Sequence, residues 1–154
     1  MIIFLDSSIL IEHSKGNKRE LMSELLRRQI RLQYNAIVQT EYLYYFLSMH
    51  GLKAPRTLKE NKSIPAILTK NDPLALLSLL EQTTDLGEPP TALVVRLMKT
   101  YNMLPNDAII LAHCLSVGIK FIASYDATDF AVPCQQEGIT FIDSVEVLNL
   151  HFPA

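Results

Sequence analysis

Four acidic residues lie where apolar stretches of the chain begin or end. Asp6 and Asp126 each follow a short apolar run, Asp107 opens an apolar segment, and Glu41 lies one turn into a predicted helix. Carboxylates gathered at one place repel each other and raise each other's pKa unless a cation neutralises them. Oxygen ligands favour Mg²⁺ or Mn²⁺ over zinc. Without a glycine-rich phosphate loop, such a cluster predicts metal-assisted hydrolysis of a phosphodiester.

Each of these acids also has a purely structural explanation when it is taken singly. Asp6 could cap the following helix, and Asp107 could be a cap or a first-turn acid, because short acids satisfy free N–H groups at a helix start. Asp126 could be a turn residue, and Glu41 could be a surface glutamate. The metal site is therefore predicted by the combination of the four and not by any one of them.

The apolar runs before Asp6 and Asp126 predict strands that would bring these two acids together. Residues 2–5 are uninterrupted large apolar residues, which is typical of a strand buried on both faces of a parallel sheet. Residues 119–124, which are largely apolar, predict another strand. Open α/β sheets bind ligands at the carboxyl ends of their strands. If the two strands are parallel neighbours, both acids lie at that edge.

The rest of the chain alternates between predicted strands and helices. Further strands are predicted at 31–35, 83–86 and 139–142. A first helix is predicted to start at Ser7 or Ser8. Further helices are predicted at 18–29, 37–49, 74–80, 91–101, 107–117 and 145–150. Gly51 is expected to be a left-handed cap, and Cys134 is expected in a loop. This alternation predicts one α/β domain over 1–154, with a parallel sheet and helices on both faces.

Residues 51–72 do not follow the regular pattern. Five positive charges in this segment face two negative ones, and Pro55 and Pro65 interrupt it. We expect a mobile or loosely helical excursion. A lid, a substrate arm, a partner surface and a solvated loop without function all remain open.

Composition excludes several classes of protein. The 154-residue chain is 49% hydrophobic and 19% charged, as in an ordinary globular protein. Cys114 and Cys134 lack CxxC spacing, which argues against a zinc site or a disulfide framework. No apolar run could span a bilayer and no signal peptide is visible, so a cytoplasmic protein is expected. With a net charge of −2, any nucleic-acid site must be local or must use bridging metal.

Four segments of the sequence resemble the PIN-domain nucleases, and in particular the VapC-like toxins of toxin–antitoxin pairs. These segments are FLDSSILI at 4–11, TE at 40–41, PNDAIILA at 105–112, and IASYD at 122–126 with DF at 129–130. The resemblance runs from residue 1 to about residue 145. It implies a three-layer α/β/α fold with a central parallel sheet of order 3-2-1-4-5.

The resemblance also implies roles for individual residues. Four acids are expected to line a site for one or two Mg²⁺ or Mn²⁺ ions: Asp6, Glu41, Asp107 and Asp126. Ser8 stands where the family often has asparagine, and Ser124 matches the first position of a Ser/Thr-x-Asp motif. Asp129 is either a fifth acid or a helix cap. Residues 51–80 are longer than the compact family core requires.

The resemblance implies that the protein is a metal-dependent endoribonuclease acting on RNA. It also implies that the protein is the toxin of a toxin–antitoxin pair. The antitoxin is expected to block the site by inserting a basic residue among the acids. A homodimer or higher oligomer is expected, with the helix at 74–80 contributing to its interface. The alternatives are an RNA-binding scaffold that does not cut and a housekeeping RNA-processing nuclease. A phosphatase of the haloacid-dehalogenase type would need a second aspartate where Ser8 stands, which argues against that function.

Several other residues have more than one explanation. Some residues of an aromatic group are expected in the core and others toward the cleft or a partner: Tyr42, Tyr44, Tyr45 and Phe46. The basic pair Arg27 and Arg28 is either a solvated face or an RNA track. The four histidines are predicted to have packing roles.

Overall fold

A buried parallel sheet of five strands organises the chain. The computed structural model describes residues 1–83 and 87–153, and its strand order is β3-β2-β1-β4-β5. The strands are β1 (Ile2–Leu5), β2 (Arg31–Tyr34), β3 (Glu81–Gln82), β4 (Phe121–Ala123) and β5 (Thr140–Ile142). All four neighbouring pairs are parallel, which confirms the predicted α/β class and the predicted strand order.

Strand β1 occupies the centre of this sheet because its side chains are apolar on both faces. Ile3, Phe4 and Leu5 are completely buried. Phe4 pairs with Ile122, so β1 and β4 end side by side. The backbone N–H of Asp6 then donates to the carbonyl of Ala123 at 3.0 Å. The residues that follow these two strands are thereby brought to one edge of the sheet.

Ten helices flank the sheet in the described part of the chain. They are α1 (Ser7–Lys15), α2 (Arg19–Arg27), α3 (Ala36–Gly51), α4 (Pro55–Glu60), α5 (Ile64–Lys70), α6 (Leu74–Leu77), α7 (Thr91–Tyr101), α8 (Pro105–Val117), α9 (Ala127–Gln136) and α10 (Val145–His151). Helix α8 is buried along much of its length, as a sequence that is apolar nearly all round predicts. No helix in the described ranges is long and apolar enough to cross a membrane.

The structure differs from the predictions at Cys134 and at the third strand. Cys134 lies in helix α9 and is buried, whereas a loop was expected there. Pro133 sits inside α9, and an interior proline normally indicates that a helix is interrupted. The strand predicted at 83–86 is found at Glu81–Gln82, and residues 84–86 lie outside the described part of the chain.

The excursion at 51–72 forms two short helices, α4 and α5, that pack on α3. Gly51 is the last residue of α3, and the left-handed conformation falls on Leu52, with φ of 55°. A Cβ atom at Gly51 would lie 2.4 Å from Cδ1 of Leu58 and 2.9 Å from Cδ1 of Ile67. The glycine therefore leaves room for the side chains of Leu58 and Ile67 where α4 and α5 approach α3, and it is not the helix cap.

Candidate functional site

Asp6 follows β1 at the carboxyl edge of the sheet and is only 4% exposed. It is the N-cap of α1, because its carboxylate accepts a hydrogen bond from the backbone N–H of Ser8 at 3.3 Å. The same oxygen, Oδ2, accepts hydrogen bonds from the hydroxyls of Ser8 at 2.6 Å and Ser124 at 2.8 Å. Asp6 can therefore cap α1 and also belong to the acidic site.

Ser8 and Ser124 connect the ends of β1 and β4. Their hydroxyl oxygens are 3.2 Å apart. Ser8 Oγ also accepts from the backbone N–H of Tyr125 at 3.0 Å, and Ser124 Oγ accepts from that of Asp126 at 2.9 Å. These bonds fix Oδ2 of Asp6. Among the residues that the structure describes, none donates to Oδ1 of Asp6, which leaves that oxygen available to a ligand.

Glu41 reaches the same edge from α3, and two side chains hold it there. The Ser7 hydroxyl donates to Oε2 of Glu41 at 2.7 Å, and the Asn106 amide donates to Oε1 at 2.8 Å. The helix begins at Ser7, one of the two predicted starts, with Asp6 as its N-cap, and the Ser7 side chain positions Glu41. Sequence reasoning assigned no role to Asn106. Its position next to Asp107 was the available signal.

Asp107 lies in the first turn of α8, in the partly buried centre of the acidic group. Burial raises the pKa of Asp107 to about 7, and the negative charges of Asp129, Asp6, Glu41 and Asp126 contribute to this rise. The N-terminal end of a helix favours a negative charge. Here desolvation and four like charges outweigh that effect, so the predicted mutual repulsion of the acids is present in the structure.

Asp126 and Asp129 form the far side of the group. Asp126 is the N-cap of α9, because its Oδ1 accepts from the backbone N–H of Asp129 at 3.3 Å. Asp129 therefore lies in the first turn of the helix and is not its cap. Burial raises the pKa of Asp129, with the charge of Asp126 as the second cause. Asp129 thus belongs to the acidic group as its fifth member.

Among the residues that the structure describes, no lysine or arginine forms a salt bridge with this group. In the ranges 1–83 and 87–153, the salt bridges formed by Lys and Arg all involve other acids. Within the same ranges, no three His, Cys, Asp or Glu side chains are grouped closely enough to hold an ion as they stand. The donors nevertheless fit a divalent cation chemically, because all are carboxylate oxygens and lack a balancing charge. The carboxylates would have to rotate toward a bound ion.

The aromatic residues of α3 divide between the core and the surface. Tyr42 and Phe46 are buried, whereas Tyr44 and Tyr45 are 59% and 38% exposed. The amino group of Lys15 lies 4.7 Å from the centroid of the Tyr45 ring. The expected core role is therefore confirmed for Tyr42 and Phe46, whereas a cleft or partner role for the exposed Tyr44 and Tyr45 stays a prediction.

Comparison with known proteins finds matches over nearly the whole chain. The family model of the PIN domain matches residues 3–133. Ribonuclease VapC2 of Methanocaldococcus jannaschii is 29% identical over 147 residues, covering 94% of this chain and 93% of the relative. Ribonuclease VapC6 of the same organism is 26% identical over 155 residues, covering 94% and 96%. The matched region of the family model contains all five acids.

Proposed function

Because the chain belongs to the PIN-domain family, we propose that it is a metal-dependent endoribonuclease, which hydrolyses phosphodiester bonds in RNA. One observation carries this proposal. Five acids meet at one edge of the sheet without a positive partner among the described residues, and burial together with their mutual repulsion raises the pKa of Asp107 to about 7. The names of the two relatives, both ribonucleases, support it.

In this proposal Asp6, Asp107 and Asp126 are the ligands of Mg²⁺ or Mn²⁺, and Glu41 binds directly or through water. A bound divalent ion would supply positive charge that activates a water and stabilises the departing oxygen. A water oxygen joins the phosphorus and the bond to the 3′ oxygen breaks, which leaves a 5′-phosphate and a 3′-hydroxyl.

The surrounding polar residues have positioning roles in the same proposal. Ser8 and Ser124 hold Oδ2 of Asp6, so that Oδ1 faces the ligand. Asn106 and Ser7 each donate to one oxygen of Glu41. Since a carboxylate oxygen has two lone pairs, each oxygen of Glu41 keeps one for a further contact. Preorganised donors of this kind reduce the rearrangement needed when substrate binds.

A toxin role with an antitoxin partner is the finer form of the proposal. A basic side chain inserted among unpaired acids would neutralise them and block the site. Leu74 and Leu79 are 63% and 58% exposed, which supports a homodimer or a higher oligomer through the α6 region. A cytoplasmic location belongs to the same proposal. A neighbouring gene for a small DNA-binding protein would favour the toxin role over housekeeping RNA processing.

The substitution Asp6→Asn tests the proposed activity. Asparagine is also a good N-cap residue, so the start of α1 should survive the change. We expect cleavage of end-labelled RNA with Mn²⁺ to be abolished, whereas Asp143→Asn, an exposed acid after β5, should cleave normally. Analysis of the product ends checks the 5′-phosphate.

Retained metal-dependent cleavage by a folded Asp6→Asn protein would refute the assignment of the site. Wild-type protein that binds RNA but cleaves none with Mg²⁺ or Mn²⁺ would favour the scaffold instead. Far-UV circular dichroism of both variants establishes that each one is folded.

A further inference from the structure

The excursion formed by α4 and α5 borders an open groove beside α3, which we call the α3–α4 groove. Six residues line this groove, which has a volume of about 640 Å³: Tyr44, Pro55, Arg56, Lys59, Glu60 and Ile64. It thus combines an exposed aromatic ring, two positive charges, one carboxylate and apolar side chains.

The α3–α4 groove is fixed in place by the packing around Gly51. Leu58, which follows Arg56 by two residues, is only 2% exposed and lies against Gly51. Side chains three, four and seven positions apart share one face of a helix. Tyr44 and Gly51 are seven positions apart, so Tyr44 lies on the side of α3 where α4 docks. The groove is therefore a built feature of the fold and not a loose loop.

The same helix face leads from the groove to the acidic site. Glu41 precedes Tyr44 by three residues, which is about one helical turn, or roughly 5 Å along the axis. Glu41 is held among the acids by Ser7 and Asn106. A polymer whose backbone passes the acids can therefore reach the ring of Tyr44 within a very short length.

The charge of the groove contrasts with the charge of the acidic site. The chain as a whole has a net charge of −2, but residues 51–72 contain five positive charges and two negative ones. Arg56 forms an ion pair with Glu60 at 3.3 Å, and both side chains are largely exposed, at 89% and 64%. Such an exposed pair is weak, so Arg56 can exchange Glu60 for a phosphate at little cost.

We propose that the α3–α4 groove binds the single-stranded RNA segment next to the bond that is cut. A base stacks on Tyr44, and Arg56 and Lys59 contact the phosphates. The inference rests on the proposed function, since it names the substrate track of the same site. Single-stranded RNA is the occupant because only an unstacked base can offer its face to an aromatic ring, and positive grooves follow its backbone.

The first test measures RNA binding without cleavage. A short unstructured oligoribonucleotide is titrated in EDTA, with the double variant Arg56→Gln/Lys59→Gln beside wild type. We expect affinity to fall roughly tenfold, and the dependence of log K on log salt to become shallower by about 1.4, since each phosphate contact on a single strand contributes about 0.7. The matched control is Lys99→Gln/Lys120→Gln, two exposed lysines outside the groove, which should bind as wild type does.

The second test examines the stacking contact. Tyr44→Ala should weaken single-strand binding roughly tenfold, within the range known for base–aromatic stacking, and should change duplex binding little. Tyr44→Phe keeps the ring and should restore binding. Tyr45→Ala is the control on the same helix, because Tyr45 does not line the groove and the amino group of Lys15 lies 4.7 Å from the centroid of its ring.

The outcomes separate this inference from the proposed function. Equal RNA affinity and salt dependence in the groove variants and their controls would overturn the inference that the groove binds RNA. The same result is expected if a partner protein occupies the groove instead. Weakened binding by the groove variants supports it even if wild type cleaves no RNA, a result that would count against the nuclease alone. If wild type cleaves, the groove variants should raise KM more than they lower kcat.

Discussion

The acids of this protein occupy two contrasting environments. On the surface, Glu24, Glu81 and Glu137 pair with arginines, and hydrogen bonds from Arg27 and from Arg31 lower the pKa of Glu24 and of Glu81 to about 2. At the carboxyl edge of the sheet, burial and neighbouring acids raise the pKa of Asp107 to about 7. Those three glutamates have arginine partners, whereas none of the described residues forms a salt bridge with the buried group. A fold that keeps like charges together in this way is expected where charge is needed for function.

Among changes to these acids, removal of the Asp107 carboxylate should have the largest effect, and that effect should be on RNA cleavage. Asp107→Asn removes the acid whose pKa is most strongly raised and keeps the side-chain shape. We expect metal-dependent RNA cleavage to fall at least about a hundredfold, the size typical for losing one preorganised electrostatic group. Initial cleavage rates at saturating Mn²⁺ check this. A rate within about threefold of wild type would show that Asp107 is not part of the site.

The next effect should appear in the stability of the metal-free protein. A carboxyl whose folded-state pKa is raised stabilises the fold fully below its unfolded-state pKa, and this stability is lost as pH rises through the folded-state value. Between pH 5 and pH 8, ionisation of Asp107 should therefore lower the free energy of unfolding by about 1 kcal/mol. One pKa unit is worth about 1.4 kcal/mol, but solvent screens this half-buried side chain and the neighbouring acids share the change.

Asp107→Asn should remove this loss, because asparagine does not ionise. Urea unfolding in EDTA at pH 5 and pH 8 measures the free energy of unfolding of both proteins. The variant should be more stable than wild type at pH 8, and the difference should be smaller at pH 5. If the free energy of unfolding changed with pH equally in the two proteins, ionisation of Asp107 would not destabilise the fold, which would contradict this prediction.

The smallest effect is expected where an acid has its partner. Glu137 accepts hydrogen bonds from Arg96 and from the hydroxyl of Tyr101, each at 2.7 Å. Glu137→Gln should lower the free energy of unfolding by less than about 1 kcal/mol, as for most surface ion pairs, and should leave cleavage unchanged. A thermal melt and the cleavage assay check both. A large loss of activity would contradict the separation of the two environments.

The sequence predicted the parts of the site that follow from local pattern. Asp6 and Asp126 come after runs that predict strands, and the family resemblance implies that these strands are neighbours. The parallel pairing of β1 and β4 does bring both acids to one edge. The sequence of α8, apolar nearly all round, likewise predicted a buried helix, and Asp107 lies in its first turn. Few sheet topologies are available to a chain in which apolar strands alternate with helices.

The remaining parts depend on contacts that no local pattern contains. Ser7 and Asn106 meet at Glu41 although they lie 34 and 65 residues from it in sequence. Gly51 looked like a helix cap, yet its role is set by Leu58 and Ile67 packing across it. In each case the residue type has a common local role, and tertiary packing gave it another one.

The central claim is that these acids form a divalent-metal site, and a crystal structure with Mn²⁺ tests it most directly. Anomalous scattering identifies the ion without reference to activity. We predict Mn²⁺ at the carboxyl edge of the sheet, bound by Asp6 and Asp107 with Asp126 contributing, and with these carboxylates rotated toward it. An empty edge at saturating Mn²⁺, with the carboxylates of Asp6 and Asp107 pointing apart, would contradict the account.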